Sequence, residues 1–146
     1  MAANELDDAA RELQECLTGF VRSFGLHQPD RTPCGQPVPV SEAHALGELL
    51  RHGTLTQLEL GRRLRLEKST VSRLVGQLAA RGWVDRAANP DDARSVRVAL
   101  TAEGRTAAGE LAAARASKFG DLLAAIPESE RDGVLRALRT LTEALQ

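Results

Sequence analysis

Tyrosine is absent, and aromatic residues make up only 3% of this 146-residue chain. A protein that holds single-stranded nucleic acid by stacking bases on rings is therefore excluded, because the rings are missing. Cysteine is scarce too: Cys16 and Cys34 form no CxxC pair and are too few for a disulfide framework, which fits a reducing compartment. The opening MAANELDDAARELQE is acidic and holds no long apolar run, so neither a secretory signal nor a membrane span is expected, and the cytoplasm is the default location. No glycine-rich phosphate loop is present, and the three histidines are scattered away from any nucleophile and acid. The expectation is a protein that is not an enzyme and needs no cofactor.

Net charge is also small, at −1 over the whole chain. Its distribution is uneven. Between Gly61 and Arg105, ten Lys and Arg stand against five acids, a local +5 that leaves −6 for the remainder. A basic middle flanked by acidic ends suggests one face for a polyanion and other surfaces for other work. The length and the 42% hydrophobic content suit one domain with a real core.

Periodicity predicts a mostly α fold with a small β-hairpin. Leu6, Leu13, Cys16, Leu17, Phe20 and Phe24 recur at helical spacing, so residues 1–24 read as an amphipathic helix with Cys16 on its apolar stripe. Residues 25–40 hold prolines at 29, 33, 37 and 39 and read as an irregular connector. Ser41 is placed to cap a second helix running to about Arg51, with Ala45, Leu46, Leu49 and Leu50 facing inward. In LTQLEL, Thr56 and Glu59 have the spacing of a capping box that starts a third helix.

The stretch KSTVSRLVGQLAARGW follows after a short link. Val71, Leu74, Val75 and Leu78 form a buried stripe, which leaves Ser69, Arg73, Gly76 and Ala80 on the opposite side with Thr70, Ser72 and Gln77 alongside. That face is small, hydroxylic and cationic, and it suits the DNA major groove. Ser69 and Thr70 near a helix start let backbone N–H groups approach phosphate, with Lys68 beside them. One turn on, Arg73 has the reach for guanine O6 and N7, and Gln77 for adenine. Gly82 is placed as a helix stop, and WVDRA and RSVRVAL read as two strands joined by the turn formers Asn89, Pro90, Asp91 and Asp92. Short helices followed by such a hairpin make a winged helix-turn-helix over residues 41–101. From residue 102 to 146 the chain reads as two further helices.

The run LRLEKSTVSRLVGQLAARGWVDRAANPDDARSVRVALTAEGR closely resembles the core of the MarR (multiple antibiotic resistance) family of bacterial transcriptional regulators, above all in STVSRLV, RGWVDR and DDARS followed by V-x-V-x-L-T. The resemblance covers nearly the whole chain. It implies an obligate homodimer in which residues 1–24 and 102–146 interlock, bound to double-stranded DNA at a near-palindromic operator and acting most often as a repressor. It also implies that Arg94 at the wing enters a flanking minor groove. Asp92, two residues earlier, is expected to hold the Arg94 guanidinium and aim it.

A small-molecule effector is implied in a crevice between the dimer helices and the DNA-binding lobe, with His44, Glu48 and Arg51 nearby. A thiol-responsive regulator using Cys34 or Cys16 is an alternative, although sensors of that kind surround the thiolate with tyrosines and this chain has none. Burial of Cys16 is the plainer expectation. Cys34, Glu42 and His44 lie close in sequence, but three ligands without a fourth make a poor zinc site, so no metal is expected. A winged-helix interaction module that has lost DNA binding is a further alternative, which Ser69, Thr70, Arg73 and Arg94 count against. Gly76 stands where the family usually has an acidic or amide residue.

Overall fold

The apolar period of the first segment becomes helix α1, Ala3–Phe24, in the computed structural model, which describes residues 3–146. The chain continues through α2 (Val40–His52), β1 (Leu55–Thr56), α3 (Gln57–Leu64), α4 (Lys68–Ala80), β2 (Val84–Asn89), β3 (Asp92–Leu100), α5 (Ala102–Ala125) and α6 (Glu128–Ala144). Helices α2 to α4 and the sheet make the winged helix-turn-helix, and α1, α5 and α6 flank it. Among the described residues, no helix is long and apolar enough to cross a membrane.

The core lies inside the winged lobe. Leu46 and Leu49 of α2, Leu60 of α3, Val71, Val75 and Leu78 of α4 and Val98 of β3 are fully buried there. Each contributes roughly 1.5–3 kcal/mol relative to exposure. The stripe read from the sequence of α4 is the stripe that is buried. The capping box also forms: Thr56 Oγ1 accepts from the Glu59 N–H at 3.1 Å, and Glu59 Oε2 accepts from the Thr56 N–H at 2.9 Å.

The start of α2 differs from the expectation. The helix begins at Val40 with Pro39 as its N-cap residue and no side-chain cap, while Ser41 is exposed within the first turn. Proline supplies the helical entry through its fixed φ, here −56°, so no hydroxyl is needed. Leu50, expected inward, is exposed, whereas Glu42 is buried. The sheet also has a third strand. β1 pairs antiparallel with β3, Leu55 opposite Val98 and Thr56 opposite Arg97, giving the order β1-β3-β2. Two residues are too few to show an alternating pattern, and these two also start α3.

At the end of α4 the Gly82 N–H donates to the Ala79 carbonyl and the Trp83 N–H to that of Leu78, a Schellman pair closed by Gly82 at φ 77°. Helix α5 starts against this joint. The Thr101 N–H donates to the Trp83 carbonyl at 3.0 Å, its hydroxyl donates to the Gly82 carbonyl at 2.6 Å, and the same hydroxyl accepts from the Gly104 N–H at 3.0 Å. Gly104 is buried so close to Trp83 that a Cβ would collide with the Trp83 carbonyl.

The flanking helices are largely uncovered in the single chain. Neither α1 nor α6 has a buried residue, and Leu13, Leu17 and Phe20 of α1, Phe119 and Leu123 of α5 and Leu138 of α6 are exposed. Cys16, expected to be buried, is exposed for the same reason. Phe24 joins α1 to α5, its ring 5.4 Å from Phe20 and 5.3 Å from Phe119.

Candidate nucleic-acid interface

Lys68, Ser69, Ser72, Arg73 and Gln77 are exposed on the outer face of α4, and Thr70 is half-buried beside them. Where α3 has its first-turn N–H groups capped, α4 starts at Glu67 with no side-chain cap. The residues there, Glu67, Lys68 and Ser69, are exposed, and uncapped N–H groups at a helix start favour an anion. Nothing in the fold lies within 4 Å of a Cβ at Gly76, so packing does not require glycine there.

A groove of about 520 Å³ runs from the start of α4 to the wing. Lys68 and Arg94 line it together with Arg62 of the last turn of α3 and Arg65 of the link that follows, and Gln57 and Asp92 are there too. Arg65 makes the turn with a left-handed backbone at φ 55°, unusual for a residue other than glycine. Among the described residues Arg62, Arg65, Lys68 and Arg73 form no ion pair, so their charge is available to a partner. The sequence reading missed Arg62, Arg65 and Gln57. The local excess of positive charge was the available signal, but their assembly into one groove depends on the link between α3 and α4.

The wing carries an irregularity that displays Arg94. Ala88 pairs with Val96 but Asn89 pairs with Asp92, so Ala93, Arg94 and Ser95 have no partners on β2. The Arg94 side chain is 95% exposed. Asn89 Oδ1 accepts from the Asp91 N–H at 3.1 Å, and the Asp91 carboxylate lies 3.6 Å from the Arg97 guanidinium. Asp92 Oδ1 accepts from the backbone N–H of Arg94 at 3.0 Å, with the Arg94 Nε farther off at 3.6 Å. The expected grip on the guanidinium is therefore loose, and the firmer contact is to the backbone.

At the end of α4, Glu42 of α2 is 3% exposed and accepts from Arg81 Nε at 2.8 Å. The Arg81 guanidinium also sits over the Trp83 ring at 5.0 Å. Sequence reasoning had considered Glu42 only as a metal ligand. Among the described residues, no group of three or more His, Cys, Asp or Glu is placed to hold a metal ion.

A second cavity, of about 430 Å³, opens between α1, α2, α5 and the connector. Phe20, Phe24, Leu111 and Phe119 give it apolar walls, and Arg115 and Lys118 bring positive charge. Of the three expected effector residues, only His44 lines it. Partial burial, then the charge of Arg115, lower the His44 pKa, and Glu48 opposes them weakly. Glu48 lies instead 3.3 Å from His52 and 3.8 Å from Arg63 of α3, and Arg51 is exposed outside the cavity. Position along the helix explains the difference: residues 44, 48 and 51 share one face of α2, but Glu48 stands a turn beyond His44, beside Arg63 of α3, and Arg51 farther still. Cys34 lines the cavity half-buried, its Sγ 2.9 Å from the hydroxyl of the buried Thr32.

Comparison with known proteins agrees with this architecture. Residues 36–95 match the sequence profile of the MarR family. An uncharacterised HTH-type transcriptional regulator of Mycobacterium bovis is 35% identical over 109 residues, which span 75% of this chain and 76% of that protein. The PcaV transcriptional regulator of Streptomyces coelicolor, solved in complex with its natural ligand, superposes with a TM-score of 0.70 at 24% identity, covering 94% of this chain and 92% of PcaV. The MepR–DNA complex of S. aureus gives a TM-score of 0.69 at 20% identity, covering 99% and 97% of the two chains. At those identities the superpositions establish a shared fold, and the profile and the mycobacterial relative establish kinship: the chain belongs to the MarR family of helix-turn-helix transcriptional regulators.

Proposed function

We propose that this protein is a homodimeric, effector-responsive repressor that reads a near-palindromic operator in double-stranded DNA. The observation that carries the reading is the cationic surface running from the uncapped start of α4 to the wing. Ser69 and Thr70 meet phosphate at the helix start, with Lys68, Arg62 and Arg65 along the backbone. Arg73, Gln77 and Ser72 face base edges in the major groove, and Arg94 enters the minor groove beside it. That MepR, which shares this fold, is solved with DNA supports DNA as the partner.

A second copy of the chain is the cover that the exposed apolar residues of α1, α5 and α6 call for. Two reading helices then address successive major grooves. The cavity beside His44 suits a small effector with an apolar body and a negative group for Arg115 and Lys118, and PcaV, solved with its natural ligand, supports a ligand-responsive reading. Such an effector acts only by favouring the spacing of the lobes that does not fit DNA. The proposal sets the protein in the cytoplasm, where its DNA is.

Fluorescence anisotropy with labelled duplex DNA over a salt series tests the reading. Binding is expected with a steep slope, about −0.9 in log K per phosphate neutralised, and an absence of binding at low salt overturns it. Sedimentation of the free protein tests the dimer, which a monomer at micromolar concentration would refute.

A further inference from the structure

The two ends of α4 are held very differently. Its start is uncapped and faces outward, while its end is fastened to two other helices. On one side Thr101 and Gly104 of α5 bind the Gly82–Trp83 joint. On the other, the buried carboxylate of Glu42 accepts from Arg81, which is the C-cap residue of α4.

Such a pair is an expensive way to pack two helices. A buried carboxylate loses its hydration, and a well-packed apolar pair of similar volume serves stability as well or better. What the ion pair adds is direction. Its 2.8 Å contact fixes the end of α4 relative to one turn of α2, and that turn also supplies Val40, Ala43 and His44 to the wall of the cavity. The other fastening runs to α5, which supplies Leu111, Arg115 and Phe119 to the same cavity. The end of α4 is therefore fastened to two of the helices that border the cavity, α2 and α5.

We infer that Glu42 is a positioning residue for DNA reading: through Arg81 it sets the end of α4 and links that end to the α2 turn lining the cavity. The inference rests on the proposal that α4 reads DNA. The molecule also carries its own reporter, since Trp83 is the single tryptophan and lies under the Arg81 guanidinium.

The test uses the full chain and a labelled duplex selected by the wild-type protein from a random pool. If the wild type selects no duplex, the DNA-reading proposal falls, whatever Glu42 does. Given a selected duplex, Glu42→Gln is expected to bind it about tenfold more weakly, within the ordinary range of coupling between sites. The salt slope is expected to stay unchanged, because no phosphate-binding cation has been removed. Charge alone predicts the opposite sign, since the substitution deletes a negative charge. Trp83 emission and its quenching by acrylamide are expected to change in a protein whose circular dichroism remains helical. Equal or tighter binding by folded Glu42→Gln overturns the inference. Should that variant fail to fold, Arg81→Lys keeps the charge but loses the Nε donor; wild-type affinity in Arg81→Lys overturns the inference equally.

Discussion

Asp92 holds the backbone of Arg94 more closely than its side chain: the carboxylate accepts from the Arg94 N–H at 3.0 Å, while Nε stands at 3.6 Å from it. With Arg94 95% exposed, the ion pair is screened by water and is worth little by itself. The hydrogen bond instead shapes the irregular part of β3 from which the arginine projects. A negative charge beside the exposed Arg94 is then a consequence of turn geometry, because aspartate is among the few side chains short enough to bond its own backbone two residues on.

Asparagine provides the same acceptor without the charge. Asp92→Asn is expected to keep or improve DNA affinity, and Asp92→Ala to reduce it although both remove a negative charge. Anisotropy with one duplex and the two variants decides the matter. Equal loss in both would return Asp92 to the role of a charge that grips the guanidinium.

Arg94 and Arg73 are expected to differ in kind. Arg94→Ala should weaken binding across many sequences and make the salt slope shallower, because it removes a cation from the DNA backbone region. Arg73→Ala should also cost about 1–3 kcal/mol at one base position, the range for a lost bidentate contact. Affinities for a set of single-base operator variants separate the two. Unchanged affinity in Arg94→Ala would remove the wing from the interface.

Gly104 is required by packing and not by backbone freedom, since its Cβ position is occupied by the Trp83 carbonyl. Gly104→Ala is expected to force α5 away from the end of α4 and to destabilise the fold by about 1–3 kcal/mol, as overpacking does. Thermal melting measures this, and Thr101→Ala should show a loss of about 1 kcal/mol from the cap alone. A wild-type melting temperature in Gly104→Ala would mean the two elements part without penalty.

His44 gives a pH dependence whose sign follows from its lowered pKa. The ordinary value is 6.5, and partial burial and Arg115 hold the folded value below it. Above that ordinary value the imidazole is neutral in both states and its contribution to stability is complete. As pH falls through 6.5 the unfolded chain takes the proton first, so stability is lost down to the lower folded value and then levels off. His44→Gln is expected to show a smaller drop in melting temperature than the wild type between about pH 7.5 and pH 5.5. An anion bound beside His44 should reverse the effect and take up a proton on binding.

Much of this molecule is legible without coordinates, for a local reason. A capping box spans Thr56 to Glu59, a helix stripe recurs every three or four residues from Val71 to Leu78, and Gly82 ends the helix through bonds reaching back to Leu78. Each is settled by atoms within a turn or two of chain, so spacing alone reveals it. The resemblance in STVSRLV, RGWVDR and DDARS then joined these pieces into one family.

What spacing leaves open is how the helices are turned against one another. The packing of α2 buries Glu42 against Arg81, 39 residues away, and sets Glu48, one turn beyond His44 on the same face, beside Arg63 instead of at the cavity. The packing of α3 and the path of the link after it gather Arg62 and Arg65 beside Arg94. Strand β1 exists because β3 runs beside Leu55 and Thr56. Cys16 has an apolar-stripe position but no cover within its own chain. Local capping and periodicity are short-range energies written in neighbouring residues. Pairings between elements depend on how the whole core packs, and Glu42, paired with Arg81 at the end of α4, belongs to that second class.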